Sequence, residues 1–337
     1  MREYIHKLLE KQDLTQAEAA DAMTIIMDGG ATEAQIGAFL VAVKMKGEHI
    51  EELAEFARVM REKSLKVHLN GTPALDVCGT GGDGSGTFNI STVASFVVAG
   101  AGVNVAKHGN RSISSKCGSA DLLQYLGVNT SAPPELVQRC IVETGIGFMF
   151  APTFHPAMKY AAKPRAELGV KTLFNIMGPM TNPAGVQHQL VGTFSLDAAE
   201  KMAQVFSRLG TRRVLAVHSE DGIDEISLRG KTSVFEVNGT GEIKRYSISA
   251  SDFGFPSTPV SDLLGDTAEM NGTICMSILE GKRGPHRDIV LLNAGFGLYA
   301  AEKASSPAEG IRMAEESIGS GNALRKLHDL VDASNSV

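Results

Sequence analysis

The chain has 337 residues, 43% of them apolar and 21% charged, which is enough for one large hydrophobic core and a smaller second unit. Its formal net charge of -6 argues against a general nucleic-acid-binding protein, because neutralising phosphates requires clustered Lys and Arg. The longest apolar-leaning run, residues 93–106, is too short to span a bilayer, and the charged N-terminus has no apolar signal core. We therefore expect a cytoplasmic enzyme with no membrane or nucleic-acid partner.

Residues 1–69 carry helical patterns only. The segments 15–18 (Thr-Gln-Ala-Glu) and 32–35 (Thr-Glu-Ala-Gln) both fit the capping box, in which two side chains satisfy the first free amides of a helix. Glycines at 29–30 and at Gly47 stand where the two helices should end. These signals predict a small all-helical N-terminal domain.

From Pro73 onward, short β-rich runs alternate with helical stretches. The predicted strands are residues 74–78, 103–106, 146–150, 189–194 and 214–218, and helical patterns include residues 91–100 and 198–209. This alternation predicts an α/β fold for residues 70–337, with a mainly parallel central sheet flanked by helices. Ligands of such folds gather beyond the carboxyl ends of the strands, so the loops that follow each strand are the candidates for chemistry.

The first of these loops, residues 79–92, is rich in glycine. Five of the eight residues from Gly79 to Gly86 are glycine, which lets backbone amides converge on an anion. Ser91 and Thr92 lie at the start of the next helix, where the helix dipole also favours phosphate. A flexible surface turn is the alternative, but the order of strand, glycines and capped helix is typical of phosphate sites.

The same loop matches the dinucleotide-binding pattern GxGxxG through Gly79, Gly81 and Gly84, so a Rossmann enzyme must be considered. Such an enzyme places an acid about 20 residues later to bind the ribose, and residues 103–109 contain none. A P-loop is also disfavoured, because no Gly-Lys-Ser/Thr closes the glycine run.

Two further loops carry charge. Residues 107–121 combine cations, hydroxyls and glycines after a strand, a mixture that suits a diphosphate, although a solvated charged loop would look similar. Residues 218–225 place up to four carboxylates after the strand at 214–217. Magnesium prefers one or two carboxylates plus substrate phosphates, so Asp224 and Glu225 are candidate ligands, with an ordinary acidic turn as the alternative.

Several segments together resemble the signature set of the anthranilate phosphoribosyltransferases, and the resemblance extends over nearly the whole chain. They are residues 79–83, 89–92, 107–111, 118–121, 174–179, 182–183 and 224–225. The resemblance implies transfer of the phosphoribosyl group of 5-phosphoribosyl 1-diphosphate (PRPP) to the amino group of anthranilate, in L-tryptophan biosynthesis. It also implies Mg²⁺ as cofactor with two ions per active site, a homodimer formed through the helical domain, and inclusion of a segment near 164–182 in that domain.

The resemblance further implies a set of substrate contacts. For PRPP these are Gly79, Gly82, Asp83, Thr87, Asn89, Ile90, Ser91, Thr92, Lys107, His108, Gly109, Asn110, Arg111, Ser112, Ile113, Ser114, Ser115 and Ser119. For anthranilate they are Gly79, Asn110 and Arg165, and for the metal Ser91, Asp224 and Glu225. Two positions depart from the family pattern: Cys117 replaces a common Ser, which leaves one hydroxyl contact open, and Lys171 replaces a common Arg.

Two anthranilate candidates can also be argued from their chemistry. The planar guanidinium of Arg165 can pair with a benzoate carboxylate in fork geometry. His155 follows a predicted strand in an aromatic stretch, residues 150–156, which suits an aromatic acid. A structural histidine is equally expected there, since no base or metal-ligand partner is visible in the sequence.

The expected mechanism needs no dedicated acid or base, because the aromatic amine is neutral at pH 7. Lys107 and the metal should stabilise the departing diphosphate. The alternatives are a nucleoside phosphorylase of related architecture and a relative that binds a ligand without catalysis. The paired acids at 224–225 and the segment 107–111 argue against the phosphorylase, and the intact metal and substrate positions with the acidic chain argue against the non-catalytic relative.

Overall fold

The computed structural model describes residues 1–111 and 116–336, and its N-terminal part is helical. The helices are α1 (Arg2–Leu9), α2 (Gln16–Met27), α3 (Glu33–Lys46) and α4 (Ile50–Lys63). Both predicted capping boxes form: the Thr15 hydroxyl accepts from the Glu18 amide at 3.3 Å, and the Thr32 hydroxyl accepts from the Gln35 amide at 3.2 Å. Gly47 ends α3 with a φ of +96°, as expected for a glycine stop.

The described residues after Thr72 form one seven-stranded sheet with the order β3-β2-β1-β4-β5-β6-β7. Its strands are β1 (Ala74–Gly79), β2 (Asn104–Gly109), β3 (Ile146–Phe150), β4 (His188–Gly192), β5 (Arg213–Ser219), β6 (Thr232–Asn238) and β7 (Ile243–Ile248). Strands β3, β2, β1, β4 and β5 run parallel, whereas β6 and β7 are antiparallel to their neighbours. The predicted α/β fold with a mainly parallel sheet and a helical N-terminal part is confirmed.

The hairpin of β6 and β7 was not expected from the sequence. Strand β6 buries Val234 in the core on one face of the sheet and Phe235 in the core on the other, so polar and apolar residues do not alternate clearly. The Asn238-Gly239 pair, typical of hairpin turns, was the available signal.

Helices cover both faces of the sheet. They are α5 (Ile90–Gly100), α6 (Ser119–Tyr125), α7 (Pro134–Thr144), α8 (Ala151–Phe154), α9 (Lys159–Leu168), α10 (Phe174–Met177), α11 (Leu196–Arg208), α12 (Ala268–Leu279), α13 (Pro285–Ala300), α14 (Pro307–Gly319) and α15 (Asn322–Asn335). Helices α5, α13 and α15 contribute to one apolar core, and α11 contributes to a second core on the opposite face. Within the described ranges, none of these helices is long and apolar enough to cross a bilayer.

The second core also contains the N-terminal helices and the segment around α9 and α10. Phe39 and Phe56 of the N-terminal helices belong to the same buried cluster as Ala161, Phe174 and Met177. The same cluster continues into α11 and the sheet. The helical part is therefore packed against the α/β part through one continuous apolar contact.

Candidate active site

Three loops meet beyond the carboxyl ends of β1, β2 and β5. We refer to them as the glycine-rich loop (residues 79–92), the second loop (107–121) and the acidic loop (218–225). The amide of Gly81 donates to Asp224 Oδ2 at 2.7 Å, and the amide of Ser91 donates to Glu225 Oε1 at 3.0 Å. Lys107 Nζ lies 3.4 Å from Ser91 Oγ. The structure thus brings together residues that the sequence places up to 143 positions apart.

The acidic loop reaches the glycine-rich loop because two facing strand ends carry no side chain. Gly79 and Gly192 are register partners at the ends of β1 and β4. A Cβ atom on Gly79 would lie 2.3 Å from Asp224 Oδ2, and one on Gly192 would lie 1.5 Å from the Asp224 carbonyl oxygen. Sequence reasoning missed Gly192, because a glycine at a strand end is no signal until the neighbouring loop is known.

The glycine-rich loop has the backbone geometry of an anion cradle. Gly81, Gly82, Gly84 and Gly86 all have φ between +66° and +72°, a region that favours glycine. Around an ideal Cβ on Gly81 or Gly84, no described atom outside the glycine and its two chain neighbours lies within 4 Å, so this backbone is open to a ligand. Successive turns of this kind point several amides toward one anion.

The two carboxyl groups of the acidic loop are held in an unfavourable environment. Glu225 is 7% exposed and Asp224 is half-buried. Burial, with the nearby charge of Asp83, raises the pKa of Asp224 to about 7. Burial and the charge of Asp224 also raise the pKa of Glu225 well above its usual value. A cation between these groups and an anionic ligand would relieve this cost.

Asp83 links the glycine-rich loop to the acidic loop. Its Oδ2 accepts from the Ser85 hydroxyl at 2.7 Å and from the Asp224 amide at 3.3 Å. Across residues 1–111 and 116–336, no set of three or more His, Cys, Asp or Glu side chains is arranged to hold a metal ion.

Lys107 lies inside strand β2, which extends to Gly109, whereas the predicted strand ended at residue 106. Its side chain is buried, and Nζ donates to the Val77 carbonyl at 2.6 Å. Burial lowers the pKa of Lys107, while the charges of Asp76 and Glu225 oppose that shift. The strand continues because the backbone of 105–109 pairs with β3, so the sheet fixes the backbone of Lys107.

Asp76, on β1, is a buried acid that accepts hydrogen bonds from β2 and from the segment at 182. It is fully buried, and it accepts from the His108 amide at 3.3 Å and from Asn182 Nδ2 at 2.8 Å. Asn182 also donates to the Ala106 carbonyl at 2.9 Å. Asn182, in the signature segment 182–183, therefore joins β1 to β2 through these hydrogen bonds.

His108 and His155 form a buried pair with ring centroids 5.1 Å apart. Burial, with the charge of the neighbouring imidazole, lowers the pKa of His108 to about 3, and burial and Lys66 lower that of His155 to about 4. In the described part of the chain, neither Nε2 has a hydrogen-bond partner. Both rings are neutral at pH 7 and offer no ionic contact to a carboxylate.

Arg165, on α9, stacks its guanidinium over the ring of Phe174 at 5.1 Å. The side chain is half-buried, and burial lowers its pKa. Among the described residues, Arg165 takes part in none of the ion pairs, whose arginines are Arg58, Arg111, Arg208, Arg212 and Arg213. The guanidinium edge therefore remains available for an acidic ligand.

The second loop is tied to α6. Asn110 is exposed, and its carbonyl accepts from the Ser119 hydroxyl at 3.1 Å. Arg111 donates to Asp121 at 2.6 Å and to Gln124 at 2.7 Å. The other proposed contacts of this loop, Ser112, Ile113, Ser114 and Ser115, lie outside the described residues. Over the described ranges, no hydrogen bond joins Asn110 to Arg165.

Comparison with known proteins identifies the class. Residues 71–324 match the model of the glycosyl transferase family α/β domain, and residues 2–64 match the model of that family's helical bundle domain. Both domains of one transferase family are thus matched over most of the chain.

Similar proteins narrow the class further. The chain is 50% identical to the anthranilate phosphoribosyltransferase of Moorella thermoacetica, over 98% of this chain and 97% of that one. The crystal structure of the Thermus thermophilus anthranilate phosphoribosyltransferase superposes with a TM-score of 0.94 at 42% identity, over 99% of each chain. The chain belongs to the anthranilate phosphoribosyltransferase family.

The Saccharomyces cerevisiae enzyme of this name has been solved with ligands. Its complex with PRPP and Mg superposes with a TM-score of 0.91 at 30% identity, over 100% of this chain and 98% of that one. Its complex with 4-fluoroanthranilate gives a TM-score of 0.89 at 28% identity, over 99% and 98% of the two chains.

Proposed function

We propose that this chain transfers the phosphoribosyl group of PRPP to the amino group of anthranilate, giving N-(5-phosphoribosyl)anthranilate and diphosphate for L-tryptophan biosynthesis. The observation that carries this proposal is the joining of two phosphate-suited loops to a pair of acids at one edge of the sheet. The yeast enzyme's complex with PRPP and Mg supports it. The PRPP contacts are those named from the sequence in the glycine-rich and second loops.

The acidic loop is proposed to bind magnesium together with the diphosphate. Asp224 and Glu225, with the Ser91 hydroxyl, supply too few ligands for a complete metal cage, so substrate oxygens would complete the shell. Two ions per active site are proposed, as the resemblance to the family implies. Bound magnesium would supply charge neutralisation for the departing diphosphate.

The protein's own groups act by position and charge. Lys107, held by the Val77 carbonyl, places a cation beside Ser91 at the start of α5. Amides of the glycine-rich loop direct further donors to the leaving group. The reaction is proposed to need no general base. Burial lowers the pKa of His108 to about 3 and that of His155 to about 4, so both imidazoles are weak proton acceptors.

Anthranilate is proposed to bind between α9 and the second loop. Arg165 would pair with its carboxylate, and Asn110 and Gly79 would contact the amine side. The guanidinium carbon of Arg165 lies 5.1 Å from the centre of the Phe174 ring, and this contact would limit the side-chain entropy lost on binding. His155 would contribute a wall of the pocket and no charge, because burial lowers its pKa to about 4.

Arg165→Ala should raise the KM for anthranilate by about one to two decades and leave the KM for PRPP nearly unchanged. The loss of one charge-assisted bidentate contact costs roughly 1.5 to 3 kcal/mol. Steady-state kinetics with each substrate varied in turn would measure both constants. Lys163→Ala, an exposed cation on the same helix, is the matched control and should change neither constant. An equal rise of both KM values in Arg165→Ala would contradict the assignment.

The function itself is tested by loss of anthranilate fluorescence in the presence of PRPP and Mg²⁺. We expect turnover that requires all three components. Release of a free base from nucleosides and inorganic phosphate, with no use of anthranilate, would instead identify a phosphorylase.

The remaining proposals concern organisation. We propose that residues 1–69, with a segment near 164–182, act as one helical domain, and that residues 70–337 form the PRPP-binding domain. A homodimer through the helical domain and a cytoplasmic location complete the proposal. Light scattering of the purified chain would give the oligomeric state.

A further inference from the structure

Asn89 connects the two loops that are proposed to bind PRPP, and this inference rests on that proposed function. The residue lies at the N-terminal end of α5. Its Nδ2 donates to the Cys117 carbonyl of the second loop at 3.1 Å, and the Cys117 thiol lies 3.4 Å from Asn89 Oδ1. The side-chain amide of Asn89 therefore joins the glycine-rich loop to the second loop.

A second asparagine controls the orientation of this amide. Asn271, on α12, is 2% exposed, and its Nδ2 donates to Asn89 Oδ1 at 2.9 Å. Asn271 Oδ1 accepts from the backbone amide of Asp266 at 3.0 Å. A backbone N–H can only donate, so it fixes which end of Asn271 faces Asn89. Asn89 must then turn its own Nδ2 toward the Cys117 carbonyl.

The segment before α12 lies along the glycine-rich loop. We call residues 263–266 the strap. The Leu263 carbonyl accepts from the Phe88 amide at 3.1 Å, and the Gly265 amide donates to the Gly86 carbonyl at 2.9 Å. A Cβ on Gly265 would lie 2.4 Å from Asn271 Oδ1 and 2.7 Å from Phe88 Cα. The strap, Asn271 and the loop are thus packed as one unit.

We propose that Asn271 is a positioning residue for PRPP, which acts through Asn89 to hold the two phosphate-binding loops at their working separation. Its role is to preorganise loop amides and hydroxyls, so that binding PRPP does not have to order them. Its polar partners include Asn89, the strap and the Cys117 thiol, and it is buried beneath the loop.

The most discriminating variant is Asn271→Asp, which keeps the side-chain size. One carboxylate oxygen can still accept from the Asp266 amide, but the other faces Asn89 Oδ1. The repulsion forces Asn89 to turn, and its Oδ1 then faces the Cys117 carbonyl. We expect the KM for PRPP to rise about tenfold, equivalent to about 1.4 kcal/mol, with the KM for anthranilate changed by less than about twofold. Asn271→Ala should give the same pattern by removing the contact.

Cys275→Ala is the matched control, because Cys275 is fully buried one turn later on α12. It should lower the melting temperature and leave the KM for PRPP unchanged. A double-mutant cycle tests whether Asn271 acts through Asn89. When Asn89 is already replaced by alanine, Asn271→Ala should have no further effect on the KM for PRPP.

Three results would overturn the proposal. They are an unchanged PRPP KM in Asn271→Asp, a rise of both KM values in proportion to lost stability, or an undiminished Asn271→Ala effect in the Asn89→Ala background. Calorimetric binding of PRPP with Mg²⁺ gives the same comparison without turnover. Failure of the parent to use anthranilate would count against the proposed function, whereas the ratio of variant to parent PRPP affinity addresses Asn271 alone.

Discussion

Replacing both acids of the acidic loop, Asp224→Asn with Glu225→Gln, should abolish most turnover while leaving the fold intact. Two carboxylates beside an anionic diphosphate repel it unless a divalent cation lies between them. The amides keep the size of each side chain but weaken the proposed magnesium site. The departing diphosphate would then lose the cation that neutralises its charge. Loss of anthranilate fluorescence with PRPP and Mg²⁺ measures the effect.

The same double variant should not be less stable than the parent in chelator. At pH 8, above the raised pKa of Asp224 at about 7, burial and repulsion from the neighbouring carboxyl groups destabilise the metal-free parent. Neutral amides remove that repulsion, so the variant should melt at or above the parent temperature. Adding Mg²⁺ with diphosphate should then stabilise the parent more than the variant.

Glu220→Gln, an exposed acid of the same loop, is the control for loss of charge alone and should behave like the parent. Full activity of the double variant in chelator would exclude the metal role proposed for Asp224 and Glu225. So would a parent protein that Mg²⁺ and diphosphate together fail to stabilise.

Gly192→Ala should both destabilise the protein and inactivate it. The new Cβ would lie 1.5 Å from the carbonyl oxygen of Asp224 and 2.3 Å from its carbonyl carbon, and backbone cannot yield as a side-chain tip can. Either β4 or the acidic loop must move, at a cost of about 3 kcal/mol. Because the clash falls on the Asp224 backbone, the displacement also separates the acids from the glycine-rich loop.

Thermal unfolding and initial rates below the melting temperature would separate the two effects. Gly37→Ala is the matched control: it lies inside α3, and apart from its chain neighbours and the backbone of its own helix no described atom is within 4 Å of its ideal Cβ. Alanine there should be neutral or stabilising by about 0.5 to 1 kcal/mol. A Gly192→Ala protein with parental melting temperature and rate would show that the acidic loop can pass the strand end by another path.

The variants of Asp224, Glu225 and Gly192 all affect the acidic loop, which contacts the glycine-rich loop. The acidic loop follows β5, and β4 lies between β5 and β1 in the sheet. The loop must therefore cross the end of β4 to meet the loop after β1. The facing glycines at the ends of β1 and β4 leave the room for that crossing.

Local sequence determined much of this fold. The two capping boxes of α2 and α3, the glycine stop at Gly47 and the parallel strands before the hairpin were all predicted from patterns a few residues long. Such patterns depend on backbone bonds and side-chain burial that repeat within one element. The phosphate-suited loops were found for the same reason, because glycines and a capped helix follow a strand directly. Their individual substrate contacts stay predictions.

Tertiary structure decided the features that depend on distant partners. The sequence placed Lys107 in a loop, but pairing with β3 extends the strand and buries the lysine. No sequence pattern pointed to Gly192 or Asn271. Gly192 matters because the acidic loop passes over it, and Asn271 matters because it donates to Asn89, 182 positions away. Strand order and the path of each loop set such distances. Neither is encoded in the residues of any single segment, so the chemistry was visible in the sequence while its geometry was not.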